Sequence, residues 1–181
     1  MAKLFIEDIE VASKKVIVRV DFNVPLRDGK VSSDKRLTAS IRTIKYLKDN
    51  GAKVILMSHL GRPGGQVVPE LSLAPVAARL GELLGSKVRF VASSVGAEAQ
   101  MAVSQLSDGD VLVLENLRFH KEETDNNEDF AKQLAALADL YVNDAFGTAH
   151  RAHASTAGIT AFVEQSACGY LIKKELDFLG E

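Results

Sequence analysis

The chain has 181 residues, 46% of them hydrophobic and 25% charged, enough for one sizeable core and the composition of a single globular domain. Its 22 basic and 24 acidic side chains leave a formal net charge of -2, a balance that speaks against nucleic acid or a membrane surface as partner and makes any anion site local. A single cysteine, Cys168, excludes an internal disulfide, and no apolar run approaches the roughly 20 residues that span a bilayer. With no charged and apolar leader ahead of the first strand, the expectation is a reducing, cytoplasmic setting, with Cys168 a small core residue.

In chain order, Lys15 to Phe22 (KVIVRVDF) reads as a strand, and Asp34 to Asn50 as a helix stopped by Gly51. A strand over Lys53 to Met57 precedes a helix from Leu73 to Leu84 stopped by Gly85. Then follow a strand over Lys87 to Val91, a helix over Val95 to Leu106, a strand over Asp110 to Leu114, a helix over Glu128 to Ala138 and a strand over Asp139 to Val142. Strand and helix alternate, and the strands are near-continuously apolar, as strands buried on both faces are. The pattern predicts an α/β domain in three layers, a doubly wound, Rossmann-like parallel sheet flanked by helices. The last segment, Leu171 to Gly180, is amphipathic, with Leu171, Leu176 and Leu179 as an apolar stripe. It reads equally as a helix packing on its own domain or as a connector into another.

Ligands of such sheets bind beyond the carboxyl ends of the strands. Asp21, Asn23 and Pro25 follow the first strand here; His59, Gly61 and Arg62 follow the second; Asn116, Arg118 and His120 the fourth; and Asn143, Asp144, His150 and Arg151 the fifth. Each has a bland reading, Asp21 and Asn23 as turn formers, Arg62 as a solvated loop charge, His150 as a cap. Together they place three arginines and three histidines at one sheet edge, where the cations would repel unless an anion filled the space. The planar fork of arginine suits a carboxylate or phosphate, with Asp21 and Asn23 accepting from hydroxyls or orienting the arginines, so a small hydroxylated phospho-acid fits both demands. Arg36, at the start of the first helix, lies on the same side. Arg19, inside a strand, reads as a buried arginine paired with a carboxylate and stays out of the site. Neither G-x-x-x-x-G-K-[ST] nor G-x-G-x-x-G occurs, no zinc spacing is present, and the glycines Gly61, Gly64 and Gly65 are a weak phosphate-loop signal.

Four blocks, R-V-D-F-N-V-P (19–25), S-H-L-G-R-P (58–63), L-E-N-L-R-F (114–119) and N-D-A-F-G-T-A-H-R-A-H-A-S (143–155), resemble phosphoglycerate kinase along the whole chain. The resemblance implies that Asp21 and Asn23 contact the glycerate hydroxyl and carboxylate, that His59, Arg62, Arg118 and Arg151 hold the 3-phosphate, and that Arg36 is catalytic, with His150 a further basic position. Gly64 departs from the family pattern, which often has Lys there. The family has two domains of similar size. By that likeness residues 1–170 form the substrate-binding domain for 3-phosphoglycerate or 1,3-bisphosphoglycerate, and 171–181 begin the interdomain helix. Mg and ATP or ADP belong to the nucleotide-binding C-terminal domain, expected to be absent from this chain, which would be a monomer with no cofactor of its own, inactive alone. The parent enzyme would transfer a phosphoryl group between 1,3-bisphosphoglycerate and ADP.

Overall fold

The computed structural model describes residues 4–145 and 151–178; His150 and Leu179, singled out above, lie outside them. Strand β1 (Lys15–Val20) leads through a small hairpin, β2 (Leu26–Arg27) and β3 (Lys30–Val31), into α1 (Lys35–Asp49) and β4 (Lys53–Met57). There follow α2 (Ala74–Leu84), β5 (Arg89–Val91), α3 (Ala97–Ser104), β6 (Val111–Leu114), the short α4 (Lys121–Thr124), α5 (Glu128–Ala135), β7 (Leu140–Asp144), β8 (Gln165–Cys168) and α6 (Tyr170–Phe178). The main sheet has six strands in the order β5-β6-β4-β1-β7-β8, every pair parallel. The winding starts at β1, proceeds to one edge, and resumes on the other side of β1 with β7, so the switch point lies between β1 and β7.

Alternation along the strands divides the core. Val16, Val18, Val20, Val54 and Leu56 pack with Leu37, Ile44 and Leu47 of α1 and Val76 and Leu80 of α2. Ile17, Ile55, Met57, Leu112 and Tyr141 pack on the other face with Val103 of α3 and Phe130 and Leu134 of α5. Burial on both faces explains the continuous apolar runs.

The structure adds elements to the five-strand reading. Strand β8 (QSAC) has no apolar run because it is an edge strand, pairing with β7 and touching Phe5 only by an isolated bridge. The Asp28-Gly29 turn, both residues at positive φ (53° and 75°), closes the β2–β3 hairpin with flanks of two residues each, too short to show periodicity. The first strand ends at Val20, two residues before Phe22, and α5 ends at Ala135. In α6 the buried residue is Ile172, while Leu171 and Leu176 are half-buried, so the stripe is rotated from the one predicted.

The start of α6 is fixed from across the fold. Asp144, fully buried at the end of β7, accepts the Leu171 N–H at 2.9 Å, and Thr43 Oγ1 of α1 accepts the Tyr170 N–H at 2.9 Å. Only Gly169 separates β8 from α6, and a Cβ there would lie 2.3 Å from Asp144 Oδ1 and 2.9 Å from Thr43 Oγ1. Burial pushes the Asp144 carboxyl up to about 7, outweighing the opposing pull of the Leu171 N–H and of the nearby polar groups of Thr43, Ile172 and Ser40. A raised carboxyl pKa means that the native state retains a proton the unfolded chain releases from about pH 4 upward, so this group costs stability as pH climbs toward 7. Asp144→Asn, which cannot ionise, is therefore expected to gain stability on wild type between pH 4 and pH 8, by about 1–4 kcal/mol, in urea unfolding at the two pH values. A gap between the two proteins that stays constant with pH would contradict the buried-carboxyl reading.

Candidate functional site

The loops beyond β1, β4, β6 and β7 enclose a cleft of about 250 Å³ lined by Asp21, Asn23, Arg36, His59, Gly61, Arg62, Arg118 and Arg151. The seven described residues singled out from the sequence thus lie together. Four arginines face one carboxylate across this space.

Each side chain is placed by its own turn. After β1, Asp21 Oδ1 accepts the Asn23 N–H at 3.2 Å and lies 3.4 Å from Arg36 Nη1, which also donates to the Asn23 carbonyl. Arg36, in the first turn of α1 with its side chain half exposed, is therefore oriented by the loop of β1; its neighbour Asp34 is taken by a bidentate pairing with Arg79 at 2.9 and 2.6 Å. Asn23 Oδ1 accepts the Gly61 N–H at 2.9 Å, joining the loops of β1 and β4. Gly61 has φ +64°, a left-handed backbone that favours glycine in the turn that presents Arg62, and a Cβ there would press on the Leu71 side chain at 2.9 Å.

Asn116, fully buried after β6, ties two loops together. Its Oδ1 accepts the N–H groups of Leu60 (3.2 Å) and Arg118 (2.9 Å), and its Nδ2 donates to the carbonyls of Leu60 (2.8 Å) and Leu71 (2.9 Å). Glu115 beside it accepts from Ser72 Oγ and the Leu73 N–H at the entry to α2. The Gly65 N–H donates to the Arg118 carbonyl at 3.0 Å. The Gly61, Gly64 and Gly65 turn thus braces the loop that carries Arg118.

Arg19 is fully buried behind the cleft, on the face of β1 shared with Ile17. Its Nε donates to Ser155 Oγ at 2.8 Å, its Nη1 to the Val20 carbonyl at 2.6 Å, and its Nη2 to His59 Nδ1 at 2.8 Å. Ser155 Oγ in turn donates to Glu123 Oε2, and the Ser155 N–H to Glu123 Oε1 at 2.9 Å. The carboxylate partner expected for Arg19 is present as Glu123, but a serine hydroxyl stands between them. Burial, then Arg19 and Arg118, then His153 and Arg151, hold His59 far below the ordinary histidine range, down to about 2, so its imidazole is neutral. Burial, then Arg19 and Arg151, also lower Arg118, and its buried Nε has no partner among the described residues. An anion in the cleft would relieve that repulsion.

Sequence reasoning missed Glu123, Ser155, Asn116 and Gly61 as builders of the site, and His153, whose pKa is lowered by burial against the opposing pull of Glu123. One signal was available: β1 and β4 pair with Arg19 opposite Met57, and His59, two residues on, falls on the same face.

The family profile of phosphoglycerate kinase matches residues 6–181. The chain belongs to the phosphoglycerate kinase family. The phosphoglycerate kinase of Clostridium botulinum (strain Eklund 17B / Type B) is 59% identical over 180 residues, which cover 98% of this chain and 46% of that protein. That of Clostridium perfringens (strain 13 / Type A) is 58% identical over 181 residues, covering 99% and 46%. Among solved structures, phosphoglycerate kinase from Coxiella burnetii superposes with a TM-score of 0.89 at 36% identity, over 99% of this chain and 44% of the other. The enzyme from Pyrococcus horikoshii OT3 gives 0.87 at 35%, over 98% and 45%. The chain spans about half the length of the curated relatives it matches, namely their N-terminal half.

Removing Asn116 tests how the cleft is held. Asn116→Ala strips partners from two buried carbonyls and two N–H groups, and is expected to lower unfolding stability by about 2–4 kcal/mol in urea. A loss below about 0.5 kcal/mol would show that the two loops are held by other means.

Proposed function

We propose that this chain is the 3-phosphoglycerate and 1,3-bisphosphoglycerate binding half of a phosphoglycerate kinase. The observation that carries the reading is the convergence of four arginines and one neutral histidine on a cleft with a single carboxylate. In this reading Arg62, Arg118 and Arg151 hold the 3-phosphate with charge-assisted bonds, and His59 donates a neutral one. Asp21 and Asn23 face the glycerate hydroxyl and carboxylate. Arg36, tethered to Asp21 and the Asn23 carbonyl yet half exposed, is the group that meets charge developing on the phosphoryl in flight between the glycerate carboxyl oxygen and a nucleotide.

Residues 1–170 form the substrate-binding domain and 171–181 the start of the interdomain helix. Support comes from the docking of α6 on α1, where the Tyr46 and Tyr170 rings meet edge to face at 5.8 Å and Arg42 lies 3.9 Å over Tyr170, while Phe178 near the end of α6 is 88% exposed. The partner is then the C-terminal nucleotide domain of the same protein, in a cytoplasmic monomer. Magnesium and nucleotide chemistry is implied for the whole enzyme. Among the described residues no group of three or more His, Cys, Asp or Glu side chains is placed to hold a metal, so these residues do not fit magnesium and no step of the reading passes through it.

Two arginine variants separate ground-state from transition-state roles. Arg62→Ala is expected to weaken 3-phosphoglycerate binding to the 181-residue chain about ten- to hundredfold by calorimetry, whereas Arg36→Ala changes it little. In the full-length enzyme Arg36→Ala should lower kcat at least about a hundredfold. The 181-residue chain itself should show no turnover with 3-phosphoglycerate and Mg-ATP. Binding abolished by Arg36→Ala and spared by Arg62→Ala would reverse the assignments, and turnover by the purified chain would overturn the division of labour.

A further inference from the structure

The fully buried Arg19 does not itself line the cleft, yet it bonds the one histidine that does. A guanidinium can only donate, so the 2.8 Å contact of Arg19 Nη2 with His59 Nδ1 requires a lone pair on Nδ1. The ring proton must then sit on Nε2, which has no hydrogen-bond partner among the described residues. The other donor directions are equally determined. Arg19 Nε–H points at Ser155 Oγ, so the single hydroxyl hydrogen of Ser155 is directed to Glu123 Oε2. Glu123 is fully buried and supplies the counter-charge that lets Arg19 remain ionised in the core.

We propose that Arg19, held by the Ser155–Glu123 pair, is a positioning residue that fixes His59 as the neutral Nε2–H tautomer, so that His59 offers the cleft a hydrogen-bond donor and not a further positive charge. The function assigned to that donor rests on the phosphoglycerate reading above; the tautomer does not. The groups that face His59 are Arg19 from β1, Arg118 from the turn after β6, Arg151 and His153 from the segment after β7, and Arg62 and Asp21 across the cleft. All but Asp21 and His153 are cations, which is why a charged imidazole is disfavoured there. One consequence is a pH profile. Because His59 stays neutral across this range, the affinity for a phosphomonoester should decline on the acid side only as the ligand takes up its own proton near pH 6.

The test is long-range ¹H–¹⁵N correlation of the His59 ring between pH 5 and 8, without ligand, beside calorimetric titration of 3-phosphoglycerate. Wild type is expected to show protonated Nε2 and bare Nδ1 throughout. Removing both buried charges together, in Arg19→Met/Glu123→Gln, should give a mixture of tautomers that titrates closer to pH 6.5, with 3-phosphoglycerate affinity at pH 8 down about three- to tenfold and the deficit narrowing toward pH 5.5. Arg19→Lys with Glu123 intact, which keeps the charge without the fork, serves as a second variant and should also loosen the tautomer. A wild-type ring protonated on Nδ1, or titrating between pH 5 and 8, overturns the proposal, as does a ring unchanged in folded Arg19 variants. If the tautomer behaves as expected and 3-phosphoglycerate fails to bind wild type, the ligand assignment falls and the role of Arg19 stands.

Discussion

The site depends on keeping like charges together. At an effective dielectric of about 20, two positive charges about 8 Å apart repel by about 2 kcal/mol, and this sheet edge carries four arginines in its cleft with a fifth buried behind them. The fold answers with two carboxylates placed differently. Asp21 lies in the cleft and steers Arg36. Glu123 lies in the core and neutralises Arg19 through a hydroxyl, leaving the cleft positive. What compensation remains is left to a ligand, and the buried Arg118 Nε, without a partner among the described residues, marks where it is missing.

The same constraint explains why the scaffold around the cleft is so heavily cross-bonded. Asn116, Asn23 and Glu115 join loops that are distant in sequence, and each uses a side-chain amide or carboxylate to hold backbone groups that no strand can reach. Polar groups buried this way specify one arrangement because any other leaves them without partners. At the end of β7 the buried Asp144 does comparable work for the start of α6.

How much of this was legible follows from where each signal resides. The strands β1, β4, β6 and β7 are buried on both faces and announce themselves as apolar runs, and in a doubly wound sheet the polar residues just after them fall together by topology. Arg62, Arg118 and Arg151 were readable for that reason. Strand β8 was not, because an edge strand of Gln, Ser, Ala and Cys has neither run nor alternation. Glu123 and Ser155 were not, because their bonds span 32 residues to each other and 136 from Ser155 to Arg19, and one Glu among the charges of KEETD looks like part of a solvated face. Arg19 was half legible: its burial and its need for a carboxylate follow from the strand, but the intervening serine does not.

On the proposed reading, a phosphoglycerate binds in the arginine cleft beyond β1, β4, β6 and β7. Titrating 3-phosphoglycerate into the ¹⁵N-labelled 181-residue chain while following the arginine Nε–Hε resonances addresses it directly. Saturable shifts concentrated at Arg62, Arg118 and Arg151, with Arg79 unmoved in its pairing with Asp34, are the expected result. Saturation that leaves those three unmoved, or shifts centred on Arg79, would contradict it.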